Sequence, residues 1–203
     1  MHKFDKYGNF KSLGKQKDKR QIILCHTSRE VEPFLTSLTF RCNGKYQRIP
    51  NYLIKRNGEI LQLLDDKSYS MMTYDLSVNK HAIFIMLENL GWLEKKPLSD
   101  HYLNWIGNIY KQGVFEKKWR DYYLWQPYTN EQIDKTIELC KVVAEENKID
   151  LKFIGHNTKI DGVEYYDGIL CRSNFDSIYT DLSPAFDFEY MLKKIENEQY
   201  SSK

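Results

Sequence analysis

The residues best placed to do chemistry are two histidines and one aspartate. His26 closes the apolar run QIILCH and His156 closes LKFIGH, so each stands where a short buried strand should end. In open α/β sheets, side chains at strand ends leave the core and converge on ligand sites. Asp181 follows in the stretch SIYTDLSPAFDF, just ahead of a helix entered through Pro184. Taken singly, each histidine reads as an ordinary surface or hydrogen-bonded residue. Together, two imidazoles and a carboxylate form a set that can hold catalytic zinc and leave a fourth position open for water. A thiol mechanism for Cys25-His26 fails on geometry. Adjacent strand residues point to opposite faces, so the pair cannot touch as nucleophile and base, and Cys25 is expected in the core.

The elements that must position these residues are legible in outline. QIILCH over 21–26 and AIFIMLE over 82–88 are apolar runs of strand length. Residues 30–40 can form a short helix closed by Asn43-Gly44. NYLIKRNGEILQLL places two short apolar segments around Asn57-Gly58, the strongest local hairpin signal. Thr129 and Gln132 make a capping-box pattern ahead of IDKTIELCKVVAEEN, whose Ile133, Ile137, Cys140, Val143 and Ala144 share one stripe. LKFIGH should be a second histidine-bearing strand, and residues 185–196 a final helix. Strands alternate with helices, so the fold class expected is α/β, a mixed central sheet flanked by helices.

Composition bounds the rest. A chain of 203 residues suits one domain and needs no disulfide or structural metal to build a core. Residues 1–20 form a basic arm, residues 21–196 the main domain, and 197–203 a polar tail. Residues 91–127 hold all four tryptophans and read as an aromatic insertion on one side, packed mainly on itself rather than serving as a glycan platform. A net charge of +2 offers no reason to expect nucleic acid as a partner. The four cysteines are scattered without a CxxC, and the first twenty residues contain no apolar leader core. Cytoplasmic synthesis is expected, with no membrane span and a monomer by default.

The blocks ILCHTS, NYLIKRNGEILQLL, PYTNEQ, FIGHN and YTDLSPAFDF, in this order, resemble the zinc-dependent N-acetylmuramoyl-L-alanine amidases of type 2. That family includes phage lysozyme-amidases and peptidoglycan recognition proteins. Its members often read Lys-Thr-Asp-Pro-Gly-Pro-Ala-Phe-Asp-Trp in the last block, against which Thr180, Asp181, Pro184, Ala185, Phe186 and Asp187 match. The resemblance implies Zn2+ held by His26, His156 and Asp181, with peptidoglycan as the substrate. The implied reaction is hydrolysis of the amide between the muramic lactyl group and L-alanine, the zinc polarising the carbonyl and acidifying its water. It further implies a phage lysin or virion-associated wall hydrolase, released by a holin or carried in the particle. A metal-bearing but inactive muropeptide binder, or a structural phage component, is the alternative.

Three departures from the family pattern mark the helpers of that reaction. Tyr179 stands where active members carry a lysine, and its hydroxyl could donate to an oxyanion without the charge. Met86 falls where one branch has a glutamate base, with Glu88 two residues on, on the same strand face and about 7 Å further along. Pro50 falls where the other branch has a tyrosine, and the family's His-Ala-Gly segment is absent, residues 69–75 reading YSMMTYD. Glu88 is therefore the candidate shifted base and Tyr179 the candidate oxyanion donor. Asn51, Tyr52, Asn157 and Arg172 are candidate substrate contacts, with Tyr166 a further one. Residues 157–180, longer than the family's usual link, are expected to form an ordered loop over the site.

Overall fold

The structure is a computed structural model that describes residues 6–155 and 158–201, with side chains up to residue 196. His156 and Asn157 lie outside the described residues. In chain order the elements are β1 (Gly14–Lys15), β2 (Gln21–His26), α1 (Val31–Phe40), β3 (Tyr52–Ile54), β4 (Ile60–Gln62), β5 (Ser68–Tyr69), α2 (Leu76–His81) and β6 (Ala82–Leu87). Five strands follow in the insertion: β7 (Trp92–Lys95), β8 (Tyr102–Asn104), β9 (Ile109–Tyr110), β10 (Phe115–Trp119) and β11 (Tyr122–Trp125). The chain then runs through α3 (Asn130–Asn147), β12 (Gly168–Cys171) and α4 (Phe188–Ser201).

The central sheet has the order β12-β2-β6-β3-β4. Its first four strands are parallel and β4 returns antiparallel from β3, so the sheet is mixed as expected. All six residues of β2 are buried because both sheet faces are covered, which is why QIILCH lacks an apolar–polar alternation. On one face Ile22, Leu24, Ile83 and Ile85 pack with Ile137, Cys140 and Val143 of α3 and Met191 and Ile195 of α4. On the other, Ile23, Cys25, Phe84 and Met86 pack with Phe34, Leu35 and Leu38 of α1. Cys25 is thus a core residue, and burial pushes its thiol pKa up.

The hairpin forms on Asn57-Gly58, with Leu53 opposite Leu61 and Gly58 at φ +83°. The capping box also forms. Thr129 accepts from the Gln132 N–H at 3.1 Å and Gln132 Oε1 from the Thr129 N–H at 3.4 Å. The box also reaches outside its helix: the Thr129 hydroxyl donates to the Arg56 carbonyl at 2.6 Å and Gln132 Nε2 to the Glu88 carbonyl at 2.9 Å. The start of α3 is thereby tied to the exits of β3 and β6, on the same edge of the sheet as His26.

Four expectations are corrected. Residues 151–155 of LKFIGH are not a strand of the sheet; they contribute a single parallel bridge, from Phe153 to Ile169 of β12. The strand beside β2 is instead β12, GILC, fully buried and in register Cys171 to Leu24. Gly168 opens it at φ +139°, where a Cβ would lie 2.5 Å from the Lys152 carbonyl oxygen, so no side chain fits. The segment after residue 157 therefore supplies a core strand rather than only a loop over the site. The basic arm is not separate either, since β1 pairs with β5 and Lys19 is buried, its ammonium donating to the carbonyls of Ser68, Lys80 and Ala82. Finally, α4 begins at Phe188 rather than 185, because Asp187 accepts from the Tyr190 N–H at 2.9 Å and so caps the helix.

The insertion forms an antiparallel sheet of order β10-β11-β7-β8-β9. Trp125 is fully buried, Trp119 packs on it at 5.6 Å, and Trp92 stacks on Tyr122 at 4.6 Å, so three of the tryptophans serve packing. Replacing Thr129 with Ala should lower stability by about 1 kcal/mol, because it removes the cap acceptor of α3. Urea denaturation followed by circular dichroism measures this, with Thr129→Ser close to wild type.

Candidate functional site

The parallel strands β12, β2, β6 and β3 end on one edge, and the candidate residues gather there around Asp181. This carboxylate is 1% exposed. Its Oδ2 accepts from the backbone N–H of His26 at 3.2 Å and lies 2.8 Å from Arg172 Nη2. Its Oδ1 accepts from Arg172 Nε at 3.2 Å. The guanidinium therefore engages both oxygens side-on, the strongest form of this pairing. Arg172 reaches that position because it directly follows β12, whose last residue is level with Leu24 of β2. The segment between the partners closes on itself, with the Ser173 N–H donating to the Asp181 carbonyl at 2.9 Å.

Tyr179 supports the pair from the other side. The Arg172 guanidinium lies 4.4 Å from the Tyr179 ring centroid, and Tyr74 stacks on that ring at 6.5 Å. Burial opposes the charge of Arg172, yet Asp181 more than offsets it and holds the guanidinium pKa above its usual value. Arg120, between β10 and β11, adds a second positive charge that interacts with Asp181 and Asp176.

His26 is buried, and its Nδ1 sits 3.3 Å from the Tyr128 hydroxyl. Burial lowers its pKa to about 4, Asp181 opposing and Arg172 reinforcing the shift, so the imidazole is neutral at physiological pH. Gly91, at φ +78°, lies against the ring; a Cβ there would stand 3.0 Å from His26 Cε1. A cavity of about 250 Å3 opens over this point, lined by His26, Ser28, Leu90, Gly91, Trp92, Trp105 and Thr180. Trp105 is 43% exposed and is fixed by its indole N–H on the Ser28 carbonyl, with the Arg29 guanidinium over the ring. The insertion thus walls the cleft with Trp105 and with Trp92, which also stacks on Tyr122, while Trp119 and Trp125 pack inside it.

The structure brings together His26, Asp181, Arg172 and Tyr179 and separates Glu88, Asn51, Tyr52 and Tyr166 from them, while His156 and Asn157 lie outside the described residues. Glu88 has both carboxylate oxygens on backbone amides, Oε1 on Val31 at 2.9 Å and Oε2 on Arg56 at 3.0 Å. It anchors α1 and the exit of β3, and is not a free base. Asn51 is 2% exposed and spends its amide on Asp65, Ser68 and Phe84 backbone groups. Tyr52 is buried at the entry of β3, its hydroxyl on Asp66, which also holds Asn147 at the far end of α3. Tyr166 precedes β12 and so lies at the opposite end of that strand from Arg172. Arg172 is no loose substrate contact but the partner of Asp181, and Tyr179 is its platform. Tyr128 and Gly91 were missed: contact with His26 across more than sixty residues has no local signature.

The expected zinc can be tested against this arrangement. Both Asp181 oxygens are occupied by donors, and among the described residues no three His, Cys, Asp or Glu side chains gather to hold a metal. A cation on Asp181 would also stand beside a fixed guanidinium; like unit charges 4 Å apart near a protein surface repel by about 4 kcal/mol, and a divalent ion doubles that. Among the described residues, which do not include His156, the carboxylate of the expected zinc set is therefore held by a guanidinium rather than left free for a metal.

A mixed sheet with helices on both faces is also the fold of the peptidoglycan amidases on which the chain superposes. The sequence profile of N-acetylmuramoyl-L-alanine amidase matches residues 15–166, and the chain belongs to that family. The match stops short of Arg172 and Asp181. Among solved structures, the amidase LysC from Clostridium intestinale URNW superposes with a TM-score of 0.55 at 11% identity, over 97% of this chain and 99% of that one. The endolysin amidase LysCS from Clostridium intestinale URNW gives 0.55 at 12% identity, over 97% of each chain. The amidase AmiD from E. coli, in complex with the substrate anhydro-N-acetylmuramic acid-L-Ala-D-gamma-Glu-L-Lys, gives 0.52 at 16% identity, over 92% of this chain and 60% of that one. No curated protein matches by sequence.

Arg172→Met should cost about 3–5 kcal/mol by stranding a buried carboxylate, whereas Arg172→Met combined with Asp181→Leu should recover most of the loss. Denaturant titration of these two variants and of Asp181→Leu alone checks this, and additive losses would mean that the pair carries no coupling.

Proposed function

We propose that the protein recognises the muramoyl-peptide of bacterial peptidoglycan in the cleft at His26, as a binding module rather than a zinc hydrolase. Membership of the amidase family supports the ligand class, and AmiD of the same fold holds a muropeptide. The observation that carries the choice of binding over cleavage is the engagement of both Asp181 oxygens by Arg172. The carboxylate that a zinc set would need is spent on the guanidinium in this arrangement. This chain's own residues then bind and orient. Trp105 and Trp92 offer aromatic surface to a sugar or lactyl group, and the Thr180 segment forms the opposite wall. The setting in this reading is the bacterial wall, with a phage lysin or virion component as the source, in keeping with the endolysin among its structural neighbours.

Hydrolysis of the muramoyl–L-alanine amide is the second reading, favoured by a buried, neutral His26 in a family of amidases. Purified sacculi separate the two. The protein should sediment with sacculi, release no peptides with new L-alanine amino termini, and bind equally well with a chelator present. Trp105→Ala should weaken binding about tenfold, as loss of an anchoring tryptophan commonly does. Release of stem peptides, abolished by chelator and by His26→Ala, would establish the hydrolase instead.

A further inference from the structure

We propose that Arg172 is the resident cation of this site, a guanidinium built into the chain at the place where a metal ion would otherwise hold Asp181 beside His26. The inference concerns the chemistry at the centre of the site and does not depend on which ligand the cleft takes. It rests on the way the guanidinium is held as much as on the contact itself. The register of β12 against β2 fixes the Arg172 backbone, since Cys171 is level with Leu24 and the next residue falls level with Cys25, one short of His26. The side chain is 14% exposed and clamped between the Asp181 carboxylate and the Tyr179 ring, with Tyr74 behind that ring. A long cationic side chain is ordinarily free to swing into solvent; this one has a carboxylate on its edge and an aromatic ring on its face.

The consequence follows from what each kind of cation offers. A metal ion neutralises a buried carboxylate and leaves a coordination position for water or a carbonyl oxygen. A guanidinium neutralises it with directed N–H donors and has no position to leave open. Arg172 thus supplies the structural half of a metal's role, the joining of β2, β12 and the Asp181 loop, and none of its reactivity. Loss of a metal would ordinarily leave Asp181 as an uncompensated buried charge; the chain contains its own compensation.

Metal analysis and zinc titration of the intact protein test this. After exposure to zinc and desalting, the wild type should retain less than an equimolar amount, and its melting temperature should not move, since a ligand that binds only the folded state raises it. Arg172→His removes the guanidinium and places an imidazole beside His26 and Asp181; it should gain equimolar zinc, a zinc-dependent rise in melting temperature, and the visible absorption of a tetrahedral site with cobalt(II). Equimolar zinc in the wild type that is lost in His26→Ala would overturn the proposal. Zinc that survives His26→Ala lies at another site and counts for the proposal. If Arg172→His fails to fold, the wild-type titration decides the question alone. Sacculus binding is read separately, so a failure of the ligand assignment and a failure of this one leave different results.

Discussion

The ion pair of Asp181 and Arg172 is the constraint on which the edge of the sheet depends. Two strands, β2 and β12, end side by side, and a ten-residue excursion leaves one and must return to the other. It returns as Asp181, which takes the free N–H at the end of β2 and the guanidinium at the end of β12. A buried carboxylate without such partners would carry a large desolvation penalty. Satisfying it requires Arg172 to stay in place, and the Tyr179 ring within the excursion provides that support. The segment therefore contains both the charge and the means of stabilising it.

The opposite side of the cleft is built by a different device. Glu88, leaving β6, places its two oxygens on the amides that start α1 and follow β3. Gln132, in the first turn of α3, bonds the Glu88 carbonyl, and Thr129 bonds that of Arg56. Strand exits expose backbone groups that need partners, and here buried side chains from neighbouring elements supply them. The edge that carries His26 is held by these polar links, while the apolar clusters on the two faces hold the body of the sheet. Such an edge can keep a binding cleft open and shaped without any mobile element, because few of its polar groups are left to reorganise.

What was legible in the sequence follows the range of the interaction. The hairpin at Asn57-Gly58 and the capping box at Thr129 are decided within a few residues, and both appear as read. QIILCH and AIFIMLE are long enough as apolar runs to be central strands whatever surrounds them. LKFIGH and GILC could not be ranked the same way: both are short and apolar, and only the space beside β2 decides between them. The lysine- and glutamate-rich FEKKW hides an edge strand, since an exposed strand needs no apolar face. Lys19 in a basic segment and Arg172 in a polar loop both read as solvated charges. Their burial is set by partners 49 and 9 residues away, and charge by itself does not reveal a partner.

In the proposed reading, Arg172 stands at Asp181 where a metal ion would otherwise stand. The demand placed on the fold is for positive charge between the ends of two strands, and either a metal or a guanidinium meets it. The two differ in what remains after the demand is met. An ion bound by three protein ligands keeps an unsatisfied coordination position, and hydrolysis proceeds there. A guanidinium paired side-on with a carboxylate and stacked on a tyrosine offers N–H donors but no open coordination position. The first arrangement stores reactivity at a cost in dependence on metal supply; the second stabilises the same loop in any ionic setting. In a cleft walled by Trp92 and Trp105 and centred on an uncharged histidine, the second arrangement leaves shape and aromatic surface as the means of recognition.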